Sequence, residues 1–188
     1  MNAPVEQQLM TSFRLNGAET LAAPGETLIE VADRLGIEIP RLCYKPGMRP
    51  DGNCRSCMVE IKGERVLAPS CCRAPTAGME VTTDSPRALA AQKMVVELLA
   101  SDMPDRVYRP DSELDHWQAK LGVGAPRFAR RRQPAADLSH PAMAVNLDAC
   151  IQCTRCVRAC REEQVNDVIG YAFRGSASEI VFDMHDPM

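Results

Sequence analysis

Residues 43–60, "CYKPGMRPDGNCRSCMVE", decide how the first half of this chain is read. Cys43, Cys54 and Cys57 fall within fifteen residues, ten residues separating the first two and two separating the last two. Gly47, Gly52 and Asn53, with Pro46 and Pro50, are turn formers, so the segment between these thiols is a loop. Beyond it, residues 57–70, "CMVEIKGERVLAPS", read as a hairpin turning at Lys62-Gly63 and returning the chain to Cys71-Cys72. Adjacent residues on an extended chain point to opposite sides, so one of Cys71 and Cys72 is expected to face the other three thiols.

The flanks place this loop in a small α+β module. Residues 9–22, "LMTSFRLNGAETLA", alternate as a β-hairpin with Asn16-Gly17 at the positive-φ turn. Leu28, Val31, Ala32 and Leu35 recur at helical spacing, and Gly36 is a C-terminal stop. "GMEVTT" (78–83) reads as a last strand. Two strands, a helix, the cysteine loop, two strands and a final strand predict a mixed sheet wrapping one helix, the β-grasp arrangement, over residues 1–84. Ser85-Pro86 then opens a helix with Leu89, Val96 and Leu99 among its apolar positions. Residues 85–142 hold this helix and a connector rich in Pro and Arg, with prolines at 104, 110, 126, 134 and 141 and a short helix near 111–121. From 143 the pattern predicts a short strand, a cysteine run, a helix of about 157–165, and strands near 168–174 and 179–183.

Composition narrows the function classes. Net charge is -3 and aromatics are 4%, which disfavours a nucleic-acid surface. No apolar run reaches membrane-spanning length, and the first ten residues lack the features of a secretory signal, so the expected compartment is the cytoplasm with no membrane insertion. In a reducing compartment nine cysteines, an odd number, point to metal or redox chemistry. No G-x-G-x-x-G opens a βαβ unit, no P-loop is present and no Ser/His/Asp constellation is legible. These residues supply no catalytic group; the chain is expected to carry electrons for bond-making done elsewhere.

The cysteines fall into two groups. Cys43, Cys54, Cys57 and either Cys71 or Cys72 supply four thiolates. A [2Fe-2S] cluster takes four Cys, and a Gly-rich loop lets backbone N–H groups approach its sulfurs. Tetrahedral zinc is the alternative, although it commonly uses two Cys-x2-Cys knuckles where only one stands here. Cys150, Cys153, Cys156 and Cys160 form C-x2-C-x2-C-x3-C, the bacterial [4Fe-4S] ferredoxin run, with Arg161 where a Pro usually follows. In two-cluster ferredoxins the fourth Cys serves the other cluster, and no second run follows here. Either Cys160 looks to a cluster with ligands off this chain, or one cubane uses all four.

"GETLIEVADRLGIEIPRLCY" followed by C-x10-"GNCRSCMVEI" resembles the ferredoxin domain that opens the large iron–sulfur subunit of respiratory complex I, hydrogenase diaphorase subunits and the α subunit of NAD-dependent molybdenum or tungsten formate dehydrogenases. The resemblance implies [2Fe-2S] on Cys43, Cys54, Cys57 and Cys71, the thirteen-residue spacing favouring Cys71 over Cys72. "CIQCTRCVRACREEQVNDVIGYAFRG" resembles the formate dehydrogenase α subunit most, where a second ferredoxin run and a molybdopterin domain follow. That implies the front of a longer chain or a short relative, partnered with molybdopterin and flavin/NAD sites on other domains or subunits. The complex I pattern H-x3-C-x2-C-x5-C is broken, since Lys120 stands where the first Cys after His116 belongs. His116 is therefore expected to be an ordinary helix residue and Trp117 a packing anchor. Arg155, Arg158 and Arg161 read as a solvated or partner-facing helix side, with charge compensation of a cluster as the rival. Arg130, Arg131 and Arg132 read as solvent or interface charge.

Overall fold

A computed structural model describes residues 10–103 and 112–182. These divide into two compact units, one of residues 10–41 and 50–94, the other of residues 42–49, 95–103 and 112–182. Pro104 and Pro110 of the expected connector lie outside the described residues.

The first unit is a five-stranded mixed sheet with one short helix. Strands β1 (Thr11–Leu15) and β2 (Ala18–Ala22) form the expected hairpin, with Phe13 facing Thr20 in register. Asn16 and Gly17 take φ of 50° and 83°, the left-handed pair that matches strand twist. Asn16 also clamps the far end of the sheet: its side chain donates to Thr83 Oγ1 and accepts from the Thr83 N–H, both at 2.8 Å. Strand β3 (Met58–Ile61) pairs antiparallel with β4 (Ala68–Pro69), and β5 (Glu80–Thr82) runs parallel to β1 and antiparallel to β3. The order β2-β1-β5-β3-β4 puts the first hairpin beside the last strand.

Helix α1 (Leu28–Arg34) buries Leu28, Val31 and Ala32, three of the positions read from its period, together with Ile29, whereas Leu35, the fourth, is exposed. The Thr27 N–H donates to Glu30 Oε2 at 2.7 Å, the return half of a capping box. Its next two donors go to the cysteine turn: Leu28 N–H to the Arg73 carbonyl (2.8 Å) and Ile29 N–H to the Ser70 carbonyl (3.1 Å). Helix α2 (Pro86–Ser101) starts where Ser85 Oγ accepts the Ala88 N–H, and buries Ala88, Gln92, Val96 and Ala100 at every fourth residue. Leu89 and Leu99 sit only half-buried beside that stripe.

In the second unit, α3 (Glu113–Lys120) buries Leu114 and Trp117 and leaves His116 exposed, its ring edge-on to Trp117. The strand expected from 143 shrinks to one bridge between Asp137 and Val145. Asn146 Oδ1 takes the Asp148 N–H at 3.1 Å, an Asx turn that stops further extension. The expected helix starts earlier, at Arg155, and changes pitch. After α4 (Arg155–Arg158), residues Ala159–Glu163 wind as a π-turn, with Gln164 N–H reaching back five residues to the Ala159 carbonyl. Strands β6 (Ile169–Ala172) and β7 (Glu179–Phe182) then pair antiparallel; residue 183 of the expected last strand is outside the described set. Among the described residues no helix is long and apolar enough to cross a membrane.

Candidate metal centre

In the first unit the chain gathers sulfur around the end of the β3–β4 hairpin. Cys57 precedes β3 and Cys71 follows β4, and their Sγ atoms lie 3.4 Å apart. Ser70 ties the two ends together, its N–H and hydroxyl both donating to the Cys57 carbonyl at 3.0 and 2.9 Å. Cys54 Sγ lies 3.0 Å from the buried Ser56 hydroxyl. Cys71 is fully buried and Cys72 exposed, with 3.5 Å between their Sγ atoms. They sit in a turn rather than on the extended chain expected from the sequence. Gly52 is buried at φ +63°, and a Cβ there would stand 3.0 Å from Cys72 Sγ. The loop therefore passes the cysteine turn as closely as glycine allows. Cys43 is buried on the segment that belongs to the second unit.

The thiols are electrostatically linked. The Cys57 thiol is lowered to about 7, first by its hydrogen bond with Cys71 and further by the Cys71 backbone and the Ser70 hydroxyl, against burial and the neighbouring Cys54. The same contact, with burial, pushes Cys71 upward. One easily ionised thiol beside a reluctant one is a poor charge arrangement until a cation enters, and iron or zinc binding takes the thiolate form.

In the second unit, Cys150, Cys153 and Cys156 are half-buried to exposed, whereas Cys160 is buried. Gln152 N–H donates to Cys150 Sγ at 3.4 Å. Burial pushes the Cys150 and Cys156 thiols upward, and the charges of Cys150 and Cys153 push Cys156 in the same direction. Cys160 is turned to a different neighbour, its thiol donating to the Asn166 carbonyl, while the Asn166 N–H donates to the Cys160 carbonyl at 2.9 Å. Gln152 and Thr154 take φ of 54° and 60°, a left-handed conformation on both sides of Cys153. Among the described residues no three His, Cys, Asp or Glu side chains are drawn together as a ready-made single-ion site.

Two arginines overturn their reading as solvated charge. Arg158 is buried at 4% exposure and donates to the Cys43 and Arg49 carbonyls. Arg131 holds the Ser178 carbonyl at 2.6 Å, and its own N–H donates to Asp102 Oδ1 at 3.1 Å. A signal for Arg158 was present in its position, between the buried Val157 and Cys160 on one helical run. Arg131 gave none, because its acceptor is a backbone carbonyl 47 residues away.

The donor chemistry, soft sulfur with Gly and αL backbone around it, suits an iron–sulfur cluster or zinc. Comparison with known proteins identifies the first part of the chain. Residues 8–86 match the 2Fe-2S iron-sulfur cluster binding domain. This domain is homologous to the corresponding part of NADH-quinone oxidoreductase and hydrogenase subunits. The chain is 36% identical over 145 residues to an NADH-quinone oxidoreductase subunit of Rhizobium meliloti (strain 1021), covering 73% of this chain and 17% of that one. It is 33% identical over 192 residues to an NADP-reducing hydrogenase subunit of Solidesulfovibrio fructosivorans, covering 94% and 32%. The crystal structure of an NAD+-reducing [NiFe]-hydrogenase in the H2-reduced state superposes with TM-score 0.80 at 28% identity, over 92% of this chain and 74% of that chain. This chain thus spans a third or less of the curated relatives' length.

Proposed function

We propose that this chain is an iron–sulfur electron-transfer region of a multi-subunit, NAD-linked oxidoreductase. The observation that carries the reading is the Cys57–Cys71 thiol pair, 3.4 Å apart at one hairpin end, inside a segment matching the 2Fe-2S domain. Cys43, Cys54, Cys57 and Cys71 would hold a [2Fe-2S] cluster, with Cys72 the alternate to Cys71. Cys150, Cys153 and Cys156 would hold a [4Fe-4S] cluster, with Cys160 either its fourth ligand or the ligand of a second cluster. The clusters would accept and pass single electrons. The chain's own part is to exclude water from Cys57 and Cys71, aim N–H donors at sulfur, and fix the cysteine turn on α1. In domain terms, residues 1–84 would carry the first cluster, 85–142 the helix and connector, and 143–188 the second.

For the substrate end we propose a molybdopterin formate site, with flavin and NAD sites on partner subunits. Its support is the close resemblance of the second cysteine run and the broken third-cluster pattern at His116 and Lys120. A second reading, electron transfer in a hydrogenase or complex I-like enzyme, is supported by the relatives named above. Both readings share one test. Iron and acid-labile sulfide are measured on anaerobically purified chain, with low-temperature EPR after reduction. About six irons with both cluster signals support two sites on this chain. About two irons with only the [2Fe-2S] signal refute the second site, and a colourless zinc protein refutes electron transfer altogether.

A further inference from the structure

Gln152 stands between Cys150 and Cys153 at φ 54°, a conformation unfavourable for any L-residue. Its backbone N–H donates to Cys150 Sγ at 3.4 Å. Its side chain is held from two directions. The amide Nε2 donates to the Ser178 carbonyl, and Oε1 accepts the Tyr171 hydroxyl at 2.9 Å. Both partners belong to the β6–β7 hairpin. Tyr171 lies in β6 opposite Ile180, and the buried Ser178 stands one residue before the Ala172–Glu179 pair. The Ser178 carbonyl is itself a fixed point. Arg131 Nη1 donates to it at 2.6 Å, while Arg131 Nη2 donates to Gln133 Oε1 at 2.9 Å and the Arg131 N–H to Asp102 Oδ1 at 3.1 Å. All these residues lie in the second unit. A side chain pinned at both amide atoms restricts its own backbone, so the hairpin sets the direction in which the Gln152 N–H points.

We propose that Gln152 is a positioning residue for the [4Fe-4S] cluster: its side chain, gripped by the β6–β7 hairpin, holds the backbone N–H on Cys150 Sγ and so raises the reduction potential. The proposal rests on the reading of the second cysteine run as a cluster site. An N–H aimed at a ligating sulfur stabilises negative charge, and does so more in the reduced, more anionic state. Loosening that aim therefore lowers the midpoint. Admitting water would raise it, because solvent favours the more highly charged state. The sign of the shift thus separates a lost N–H bond from a mere loss of packing.

The test is an EPR-monitored redox titration of the anaerobically purified full chain and its Q152M and Y171F variants. Q152M keeps the length of the side chain and removes both of its bonds to the hairpin. It is expected to lower the [4Fe-4S] midpoint by about 59 mV, a tenfold fall in the reduced-to-oxidised ratio for one electron. Y171F removes one of the two bonds from a residue outside the cysteine run, and is expected to lower the same ratio about threefold. Should Q152M fail to assemble a cluster, Y171F decides: a threefold fall supports the clamp, and an unmoved or raised midpoint overturns it. A midpoint that stays or rises in Q152M with a normal signal overturns this proposal alone and leaves the cluster reading standing. Absence of a [4Fe-4S] signal in the unmodified chain overturns the reading of the second run and this proposal with it.

Discussion

Gln92 ties helix α2 to the sheet, and replacing it with methionine should loosen the first unit by about two orders of magnitude in local opening. Its side-chain amide, 2% exposed, donates to the Met58 carbonyl at 2.9 Å and the Thr83 carbonyl at 3.1 Å. Met58 opens β3 and Thr83 follows β5, so one NH2 group bridges two strands that are neighbours in the sheet. Methionine keeps the length and removes both donors without leaving a large cavity. Each buried acceptor left unpaired costs about 2 kcal/mol, and relieving the burial of a polar amide returns about 1, a net loss near 3 kcal/mol. At about 1.4 kcal/mol per tenfold, that is roughly a hundredfold fall in protection. Native-state hydrogen exchange of the full chain, read on peptides covering β3 and β5, measures it directly. A fall of less than about threefold there would refute the bridging role. Gln92→Glu adds a pH signature. Burial and two facing carbonyl oxygens disfavour the anion, so the folded-state pKa lies above the unfolded value of about 4.3. Stability of that variant should fall as pH climbs through the gap between the two values, the opposite of the usual carboxylate.

Gly52→Ala should cost about 1–2 kcal/mol, because φ is +63° there, and Cys72→Ala in the same chain should recover only the steric share from the 3.0 Å approach; urea midpoints of the two single variants and the double variant measure both parts. Arg34 beside Glu26, at 3.0 Å, holds its carboxyl below the usual range, against partial burial. That contribution is complete above the unfolded pKa of about 4.3 and is lost as pH falls through the lowered folded value, so Glu26→Gln should cost less than about 1 kcal/mol at neutral pH and nothing in strong acid, read from denaturation midpoints across pH. Trp117→Ala, removing an 8%-exposed ring, should cost about 3–5 kcal/mol and strip exchange protection from α3.

How far the fold could be read in advance follows from where its information lies. Asn16-Gly17, the 3.6-residue period of Leu28, Val31 and Ala32, and Ser85-Pro86 are local signals, and each produced its element with the expected bounds to within two residues. Strand order is long-range: the β-grasp pattern of elements anticipated a mixed sheet wrapping one helix, and the placing of β5 beside β1 comes from the structure. The expectations that failed are those settled by competition for backbone groups. Residues near 143 have the apolar content of a strand, but Asn146 captures a donor first. The helix through Cys160 has helical periodicity, but Gln164 N–H closes on Ala159 rather than Cys160. Nothing in residue type alone separates an i−4 from an i−5 bond. The cysteine spacings were legible for the same local reason as the turns, while the partners of Arg131 and Arg158 were not, since carbonyl acceptors carry no side-chain signature.

The backbone at the two cysteine groups gives an independent argument about what the loops are built for. Arg55 lies inside the Cys54–Cys57 knuckle at φ 60°, Gln152 inside Cys150–Cys153 at 54°, and Thr154 just past Cys153 at 60°. None is glycine, and each L-residue held there costs about 1–2 kcal/mol. Glycine would remove that cost, and the chain uses it freely at Gly47, Gly52 and Gly63. What the left-handed turn supplies is direction. It swings a backbone N–H out of the chain path toward the preceding sulfur, as at Gln152 and Cys150. A protonated thiol gains little from that donor, whereas a metal-bound thiolate gains a charge-assisted bond. On the proposed cluster reading, the strain is repaid only in the loaded state. Where a knuckle takes up its proposed cluster, exchange at its αL amide, Arg55 or Gln152, should slow on cluster assembly by more than at neighbouring loop positions. Equal slowing throughout each loop would mean that the αL geometry serves the turn alone.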